Sequence, residues 1–286
     1  MSEISAAELL RQAAVQLAEA GVPSAQHDAK RLMLSLISAD GSASVSLDRV
    51  VLSGDTITQF KTLVARRAKR EPLQHILQSA SIMYLDLKSD ARALIPRDDS
   101  AAVIQLAVER LTTRKQDPIV IADLGTGSGV LLAECLHAFK SASGFAVEAS
   151  LAAMSLAEEN FELLGLSQRV SVFQGSWMDW PDWGACDLIV SNPPYIESAV
   201  IPTLAPEVRD FDPLGALDGG PDGLDAYREI IIEGSAQMKS GSHLVLEIGY
   251  DQREAVARLL DASNFTNLEC RQDLGGNDRV IAATKT

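Results

Sequence analysis

The stretch that decides the fold is Ile119-Val-Ile-Ala-Asp-Leu-Gly-Thr-Gly-Ser-Gly129, an apolar run that leads into three alternating glycines. The apolar run predicts a buried strand, and the periodic apolar residues after Gly129 predict a helix. Glycines adopt backbone angles closed to other residues and let a ligand approach the main chain. We therefore expect a strand, a tight turn and a helix that together form one side of a ligand site.

The spacing of the glycines leaves two kinds of ligand open. A dinucleotide-binding turn has the pattern G-x-G-x-x-G and binds a pyrophosphate. Here the pattern is G-x-G-x-G, and Asp123 stands two residues before the first glycine. An acid that faces a helix start disfavours a pyrophosphate and favours a cation. S-adenosylmethionine (SAM) carries a sulfonium and an ammonium but no phosphate, so it fits this turn better than a dinucleotide does.

The next two predicted strands also end in groups suited to a nucleoside. Glu148 ends the second strand, and a carboxylate there can accept hydrogen bonds from both ribose hydroxyls. A solvated carboxylate at a strand end is the alternative interpretation. After the third strand, Ser176 and Trp177 offer a polar group and a flat apolar face to adenine.

The fourth predicted strand ends at Asn192-Pro193-Pro194-Tyr195. Two consecutive prolines stop a strand because neither ring nitrogen can donate a hydrogen bond. The stiff loop offers an amide side chain, backbone carbonyls and an aromatic ring, which suit a planar amide or amine. A turn that only ends a strand, with Tyr195 packed in the core, is the alternative. Ligands bind at the carboxyl ends of strands in open α/β sheets, so the four strand ends predict a nucleoside site beside an amide or amine site.

The periodicity divides the chain into three blocks. Residues 1–77 predict a small helical bundle, and residues 78–98 predict a β-hairpin linker with strands at 82–87 and 91–95 and its turn at 88–90. Residues 99–286 alternate strands and helices, which implies a mostly parallel sheet with helices on both faces. The predicted helices of the first block are 6–20, 25–37, which ends at a turn at 39–42, and 55–69. The predicted strands of the third block are 119–124, 144–148, 170–174, 187–191, 243–248, 267–272 and 279–283, and its predicted helices are 98–112, 129–139, 151–164, 223–238 and 252–262.

The composition limits the class of protein. The net charge of −14 disfavours non-specific adhesion to nucleic acid or to anionic membranes. No apolar run approaches the ~20 residues of a membrane span. The acidic start lacks the basic region of a signal peptide, so we expect a cytoplasmic protein. The short basic cluster at 66–70 is interpreted as one face of a solvated helix, and we expect a monomer because no exposed apolar stripe is evident.

The cysteines and histidines are scattered along the sequence. The three cysteines are far apart and form no C-x-x-C pair, and the four histidines show no ligand spacing. This pattern suits a reducing compartment and argues against a disulfide framework or a zinc site. We therefore expect chemistry that needs no metal.

The turn at 123–129 and the tetrapeptide at 192–195 together resemble those of SAM-dependent methyltransferases that act on planar nitrogen. Further stretches are similar to the protein-(glutamine-N5) methyltransferases of peptide chain release factors, over essentially the whole chain. Those stretches are 67–76, 94–97, 191–196, 206–209, 216–220, 222–224, Tyr227 and 247–249. The resemblance implies an α/β fold: a Rossmann-like seven-stranded SAM-dependent methyltransferase domain preceded by a small helical, substrate-binding domain and a β-hairpin linker.

The family methylates the side-chain amide of the glutamine in the Gly-Gly-Gln loop of class I release factors. SAM is therefore the implied cofactor and a release factor the implied partner. The residues expected to contact SAM are Asp123, Gly125, Thr126, Gly127, Ser128, Gly129, Glu148, Ser176, Trp177 and Asn192. The residues expected to bind the glutamine are Asn192, Pro193, Pro194 and Tyr195, with Asn192, Pro193 and Tyr195 in catalytic roles.

The sequence departs from the family pattern at a few places. The family usually continues Ile-Pro-Arg with Pro-x-Thr-Glu, where this chain has Asp98-Asp99-Ser100-Ala101. It also usually has a glycine at the position of Gln78, a Glu-Phe-x-Gly hairpin at 82–85, and an Asp at the position of Glu148. The first segments lie at the junction of the predicted domains, so we expect the departures to affect substrate binding more than cofactor binding.

Two other functions stay open. A nucleic-acid adenine-N6 or guanine-N2 methyltransferase can grip the exocyclic amine of a flipped base with the same tetrapeptide, but the net charge of −14 disfavours it. A SAM-binding protein without catalysis is suggested by the departure at 98–101, and the intact tetrapeptide at 192–195 disfavours it.

Overall fold

The computed structural model describes residues 5–37 and 52–286. The contacts divide the chain into two compact units. One unit comprises the described residues up to Gln78 together with Ala205–Phe211, and the other comprises Ser79–Leu204 and Asp212–Thr286. The predicted turn at 39–42 lies outside the described residues, as do the first four residues.

Helices form the first unit, which we call the helical unit. They are α1 (Ala6–Glu19), α2 (Ala25–Ile37), α3 (Gly54–Ala68), α4 (Leu73–Leu77) and, numbered in chain order, the short α8 (Pro206–Arg209). Ser5 caps α1 by accepting a hydrogen bond from the Glu8 backbone N–H at 3.2 Å, and Ser53 caps α3 in the same way. The apolar faces pack around Leu17, Leu32, Met33 and Phe60. The three helices predicted before residue 70 are confirmed.

A buried arginine joins three elements of the helical unit. Arg67 on α3 donates from Nε to Asp28 on α2 at 2.7 Å and from Nη2 to Glu207 on α8 at 3.0 Å. Arg70 donates from Nε to the same Glu207 carboxylate at 2.7 Å. The interpretation of the cluster at 66–70 as a solvated helix face is therefore wrong for Arg67, which is buried. Its partner Glu207 is 140 residues away in sequence, a pairing that local sequence cannot reveal.

The second unit begins with a β-hairpin. Its strands are β1 (Ala80–Ile82) and β2 (Leu85–Leu87), which pair antiparallel. The chain turns at 83–84, which divides the predicted strand at 82–87 into the two observed strands. The predicted turn at 88–90 and the predicted strand at 91–95 are therefore wrong. The physical reason is a tertiary contact. The Lys88 backbone N–H donates to the side chain of Asn160, a residue of the later helix Leu151–Leu163, at 2.7 Å. This hydrogen bond holds the chain after β2 against that helix, so residues 88–95 do not turn back to pair with β2.

One seven-stranded sheet forms the centre of the second unit, which we call the sheet unit. Its strands are β3 (Val120–Leu124), β4 (Ser143–Glu148), β5 (Val170–Gln174), β6 (Leu188–Ser191), β7 (His243–Glu247), β8 (Phe265–Gln272) and β9 (Asp278–Lys285). Its long helices are α5 (Ser100–Arg110), α6 (Val130–Ala138), α7 (Leu151–Leu163), α9 (Asp225–Gln237) and α10 (Arg253–Asp261). The predicted strands agree with the observed strands to within two residues at either end, and the predicted α/β class is confirmed.

Successive strand residues point to opposite faces of this sheet, and helices cover both faces. Ile121 packs in a core cluster with α5, α6 and α7, and the next residue, Ala122, packs in a second cluster with α9 and α10. The second cluster also buries Trp180, Trp183 and Tyr227. In the stretches that the structure describes, no helix combines the length and apolarity needed to cross a bilayer.

The strand order is β5-β4-β3-β6-β7-β9-β8. The pairs from β5 to β7 are parallel, and β9 is antiparallel to both of its neighbours, β7 and β8. The chain therefore builds outward from β3 on one side and then returns to add β6 on the other side. At that reversal the connections leave in opposite directions and open a cleft at the carboxyl ends of the strands. The sequence motifs at the ends of β3, β4 and β6 converge on this cleft.

A buried carboxylate fixes the opposite, amino end of β6. Asp187 accepts from Arg114 Nη1 and Lys239 Nζ at 2.8 Å each, and from the Val120 backbone N–H at 2.8 Å. Burial raises the pKa of Asp187, but the hydrogen bonds from Lys239, Arg114 and Val120 outweigh it and hold the pKa below its ordinary value. Asp187 therefore ties β6 to β3 in its charged form.

Replacing the Asp187 carboxylate tests how much it stabilises the fold. Because a partner of two cations is lost, Asp187→Asn is expected to lower the free energy of unfolding at neutral pH by about 1–3 kcal/mol. The folded-state pKa is depressed, so the carboxylate stabilises above its unfolded pKa and loses its effect as pH falls through the folded value. Urea unfolding followed by tryptophan fluorescence should show that the difference in the free energy of unfolding between the wild type and Asp187→Asn becomes smaller in acid.

Asp117→Asn is the matched control. Asp117 pairs with the same Arg114 at 3.0 Å, but its side chain is half exposed. Its loss is expected to cost less than about 1 kcal/mol, as for other surface pairs. Equal losses for the two variants, or a loss for Asp187→Asn that does not change with pH, would contradict this account.

Candidate active site

A cavity of about 360 Å³ lies at the reversal of the sheet, where β3, β4 and β6 end. This volume falls in the range of small-molecule sites. Of the residues predicted from sequence, the cavity is lined by Gly125, Thr126, Gly127, Ser128, Glu148, Trp177, Asn192 and Pro194. The predicted residues that do not line it are Asp123, Gly129, Ser176, Pro193 and Tyr195. The structure thus brings residues from all four predicted strand ends to one site.

The glycine turn after β3 needs its glycines for different reasons. Gly125, Gly127 and Gly129 have φ values of 70°, 56° and 84°, which L side chains rarely adopt. A Cβ on Gly129 would lie 2.8 Å from the Phe161 ring, so this glycine serves the packing of α6 against α7. A Cβ on Gly127 would meet no protein atom closer than 3.9 Å, so the backbone there borders open space. Gly127 therefore leaves its main chain accessible to a ligand.

The Glu148 carboxylate stands at the end of β4 and is tied to the glycine turn. One oxygen accepts from the Gly127 backbone N–H at 3.0 Å, and the other accepts from the Ser150 N–H at 2.8 Å. Each carboxylate oxygen has two lone pairs, so each can accept one more hydrogen bond from a ligand. The side chain is thereby oriented and still available on the cavity wall.

Trp177 forms another part of the wall. Its indole Nε1 donates to Glu229 on α9 at 3.0 Å, and a Cβ built on Gly125 would touch its ring at 3.4 Å. The ring is thus fixed beside the glycine turn and offers an apolar surface to the cavity. Ser176, predicted to act with it, instead caps the following turn by accepting from the Met178 N–H at 3.1 Å.

Asp123 lies beneath the glycine turn and is buried. Its Oδ2 accepts from the Thr126 hydroxyl at 2.7 Å, and no hydrogen-bond partner is found for its Oδ1 among the described residues. Burial raises the pKa of Asp123 to about 7, although the Thr126 hydrogen bond favours the charged form. Asp123 can thus influence a ligand only through its charge beneath Thr126, and its predicted contact with the cofactor stays a prediction.

The tetrapeptide after β6 forms a corner, residues 192–195. Asn192 and Pro194 line the cavity, while Pro193 is buried. Within the described residues the Asn192 side chain makes no hydrogen bond, so its amide is available to a ligand. The Tyr195 side chain packs against the core cluster of α9 and α10 and donates its hydroxyl to Glu247 at 3.3 Å. Its predicted stacking on a substrate amide stays a prediction.

Sequence reasoning missed two cavity walls. Residues 92–97 and Ser100 form one wall, and Pro213, Gly215 and Ala216 form another. Arg97 Nη2 donates to Asp212 at 3.3 Å, and burial raises the pKa of Asp212 to about 6 despite this cation. The signals were the stretches 94–97 and 216–220, which resemble the family but had no role assigned at the site. Nothing in the local pattern indicated that residues 213–216 return to the cavity.

The chemistry available at the cavity is that of recognition. Backbone groups of the glycine turn, a carboxylate, an indole ring and an unbonded carboxamide face one space, and these groups suit a nucleoside and a planar amide. Across the two described ranges, no three His, Cys, Asp or Glu side chains are arranged to hold a metal ion.

Two family models match the sequence. The PrmC N-terminal domain matches residues 8–77, and the methyltransferase small domain matches residues 99–205. Among solved structures, the catalytic domain of hMettl16, determined with the MAT2A 3′UTR hairpin 6, has a TM-score of 0.59 at 14% identity and covers 78% of this chain and 82% of its own. At that identity the similarity shows the fold alone.

Curated relatives align over nearly the whole chain. The release factor glutamine methyltransferase of Caulobacter vibrioides is 36% identical over 94% of this chain and 93% of its own length. That of Geobacter sulfurreducens is 37% identical over 93% and 91%. Because these relatives are more than 30% identical over more than nine tenths of the chain, the chain belongs to the family of release factor glutamine methyltransferases.

Proposed function

We propose that the protein transfers a methyl group from SAM to the side-chain amide nitrogen of the glutamine in the Gly-Gly-Gln loop of class I release factors. The names of its relatives support the reaction and the substrate, and the methyltransferase fold implies SAM. The observation that carries the proposal is the unbonded Asn192 carboxamide on the wall of the cavity that also holds the glycine turn.

The residues on the cavity wall fit SAM. The main chain at Gly127, the carboxylate of Glu148 and the ring of Trp177 would hold its nucleoside, and the negative charge of Asp123 beneath the turn favours its cationic groups. When bound, SAM supplies an electrophilic methyl group on a sulfonium. Asn192 lies on the same wall and would border that methyl group.

The corner at 192–195 would position the nucleophile. An amide nitrogen is a poor nucleophile because its lone pair is delocalised into the carbonyl. The Asn192 side-chain oxygen and the Pro193 backbone carbonyl would each accept one N–H of the glutamine amide. These two hydrogen bonds would hold the nitrogen in line with the methyl–sulfur bond and stabilise the positive charge that develops on the nitrogen. In the described residues no N–H donates to the Pro193 carbonyl, which supports this role.

The reaction needs no dedicated base on this account. A new N–C bond makes the remaining N–H protons acidic, and one of them leaves to water. Stacking of Tyr195 on the amide plane stays a prediction, because its ring does not line the cavity. Positioning and charge stabilisation by the corner therefore carry the catalysis.

The function is tested with radiolabelled SAM and four acceptors: a class I release factor, the same factor with the Gly-Gly-Gln glutamine replaced, RNA and DNA. Label on the intact factor alone is the expected result. Label on RNA or DNA would favour a nucleic-acid methyltransferase, and binding of SAM without any transfer would favour a protein without catalysis.

Asn192→Ala tests the role of the corner. Because one acceptor for the amide is lost, kcat for the release factor is expected to fall by about 10²–10³, the range for loss of one preorganised hydrogen-bonding group. The Kd for SAM, measured by calorimetry, should change far less. Asn277→Ala, at an exposed turn, is the control and should leave kcat unchanged. Turnover near that of the wild type in Asn192→Ala would refute the role.

Asp123 predicts a pH dependence of cofactor binding. Its pKa of about 7 means that the carboxylate ionises as pH rises through neutrality, and the charged form favours a cationic ligand. SAM affinity is therefore expected to increase by roughly three- to tenfold between about pH 6 and pH 8. By linkage, bound SAM should lower the pKa of Asp123.

Calorimetry across this pH range, in wild type and in Asp123→Asn, checks that expectation. The variant keeps a neutral side chain at every pH, so its affinity should vary less than that of the wild type. If both proteins show the same pH profile, the titrating group is not Asp123.

A further inference from the structure

We propose that Gln252 and Glu247 are positioning residues that hold the corner at 192–195 in its reactive geometry. This inference rests on the proposed function, because it assigns the groups behind the corner a role in the same methyl transfer. Neither side chain lines the cavity. Both act on Tyr195, the last residue of the corner.

Gln252 holds the backbone of Tyr195. Its Nε2 donates to the Tyr195 carbonyl at 2.9 Å and to the Gly223 carbonyl at 3.1 Å. Its Oε1 accepts from the Gly249 N–H at 2.9 Å. Both amide protons and one lone pair of the oxygen of Gln252 therefore take part in hydrogen bonds. Only one orientation of the carboxamide satisfies all three. The Tyr227 hydroxyl, which donates to the Glu247 carbonyl at 2.9 Å, lies 3.3 Å from the same Oε1.

Glu247 holds the other end of the same residue. It is the last residue of β7 and is 1% exposed. One carboxylate oxygen accepts from the Tyr195 hydroxyl at 3.3 Å, and the other accepts from the Ser100 hydroxyl at 2.7 Å. Tyr195 is thus held both at its carbonyl and at its ring. Ser100 lines the cavity, so the Glu247 carboxylate also links the corner to the opposite wall.

The loop behind the corner is fitted closely to it. A Cβ on Gly219 would lie 2.7 Å from the Tyr195 Cα, and a Cβ on Gly223, at φ 71°, would lie 2.5 Å from the Tyr195 carbonyl oxygen. The Ile196 N–H donates to the Leu217 carbonyl and the Gly219 N–H donates back to the Ile196 carbonyl, both at 2.9 Å. The corner therefore has little freedom to adjust if one of its hydrogen bonds is lost.

Position matters here because the two acceptors for the substrate amide precede Tyr195 by two and three residues. Displacing reacting groups by about 1 Å can cost on the order of a hundredfold in rate. The Gln252 side chain forms hydrogen bonds with Tyr195, Gly223 and Gly249 and with neither the glycine turn nor Glu148, so the cofactor half of the cavity should tolerate its loss. The expected signature is a fall in kcat with SAM binding preserved.

Gln252→Glu is the sharpest variant, since it keeps size and shape but replaces the two N–H donors with acceptors. We expect kcat for the release factor to fall by about tenfold to a hundredfold, with the Kd for SAM within about twofold of the wild type. Gln237→Glu, the same change at an exposed position on α9, is the matched control and should leave both values unchanged. Wild-type kcat in a folded Gln252→Glu protein would overturn the inference.

A double-mutant cycle with two conservative substitutions tests Glu247. Tyr195→Phe removes only the hydroxyl, and Glu247→Gln keeps an oxygen for Ser100. If the two residues act through their hydrogen bond, each variant should lower kcat by about threefold to tenfold, and the double variant should lose no more than either one alone. Losses that multiply, or losses that track a rise in the Kd for SAM, would mean that the residues only maintain the fold.

The outcomes separate this inference from the proposed function. If the wild-type protein fails to label the release factor, the function is wrong. If the wild type labels it and the Gln252 and Tyr195 variants turn over normally, the function stands and only the positioning role is lost.

Discussion

The reversal of strand order beside β3 is the constraint on which the rest of the sheet unit depends. The chain adds β4 and β5 on one side of β3 and β6 and β7 on the other. Because all of these strands are parallel, their carboxyl ends meet at one edge of the sheet. Groups that are far apart in sequence, such as the turn at 125–128, Glu148 and Asn192, are brought to one cavity for this reason alone.

Much of this arrangement can be predicted from sequence, because each part is signalled locally. Apolar runs that end in glycines, an acid or two prolines give both the strands and the side of the sheet where they stop. The hairpin shows where local signals fail. Lys88-Ser-Asp90 has the composition of a turn, yet the chain turns at 83–84 and Lys88 is held by Asn160, 72 residues away. Both residues are visible in the sequence, but their contact depends on the tertiary fold and has no local signal.

The back of the corner could not be predicted for the same reason. Ser100, Glu247 and Gln252 come from three separate elements, and their hydrogen bonds to one another and to Tyr195 depend on tertiary packing. The structure also bears on the departure at 98–101. Ser100 keeps a hydroxyl where the family usually has threonine, and this hydroxyl donates to Glu247. The hydrogen bond between residue 100 and Glu247 is therefore present in this chain, although residues 98 and 101 differ from the family pattern.

The placement of Ala205–Phe211 has a consequence for how the protein can be divided. This segment lies in the middle of the chain but belongs to the helical unit, where Glu207 binds Arg67 and Arg70. The backbone therefore passes between the units three times, and no single cut separates them. Removal of the amino-terminal helices would leave the Glu207 carboxylate without its two guanidinium groups. A helical unit cut from the chain at residue 78 would likewise lack the carboxylate that pairs with Arg67 and Arg70.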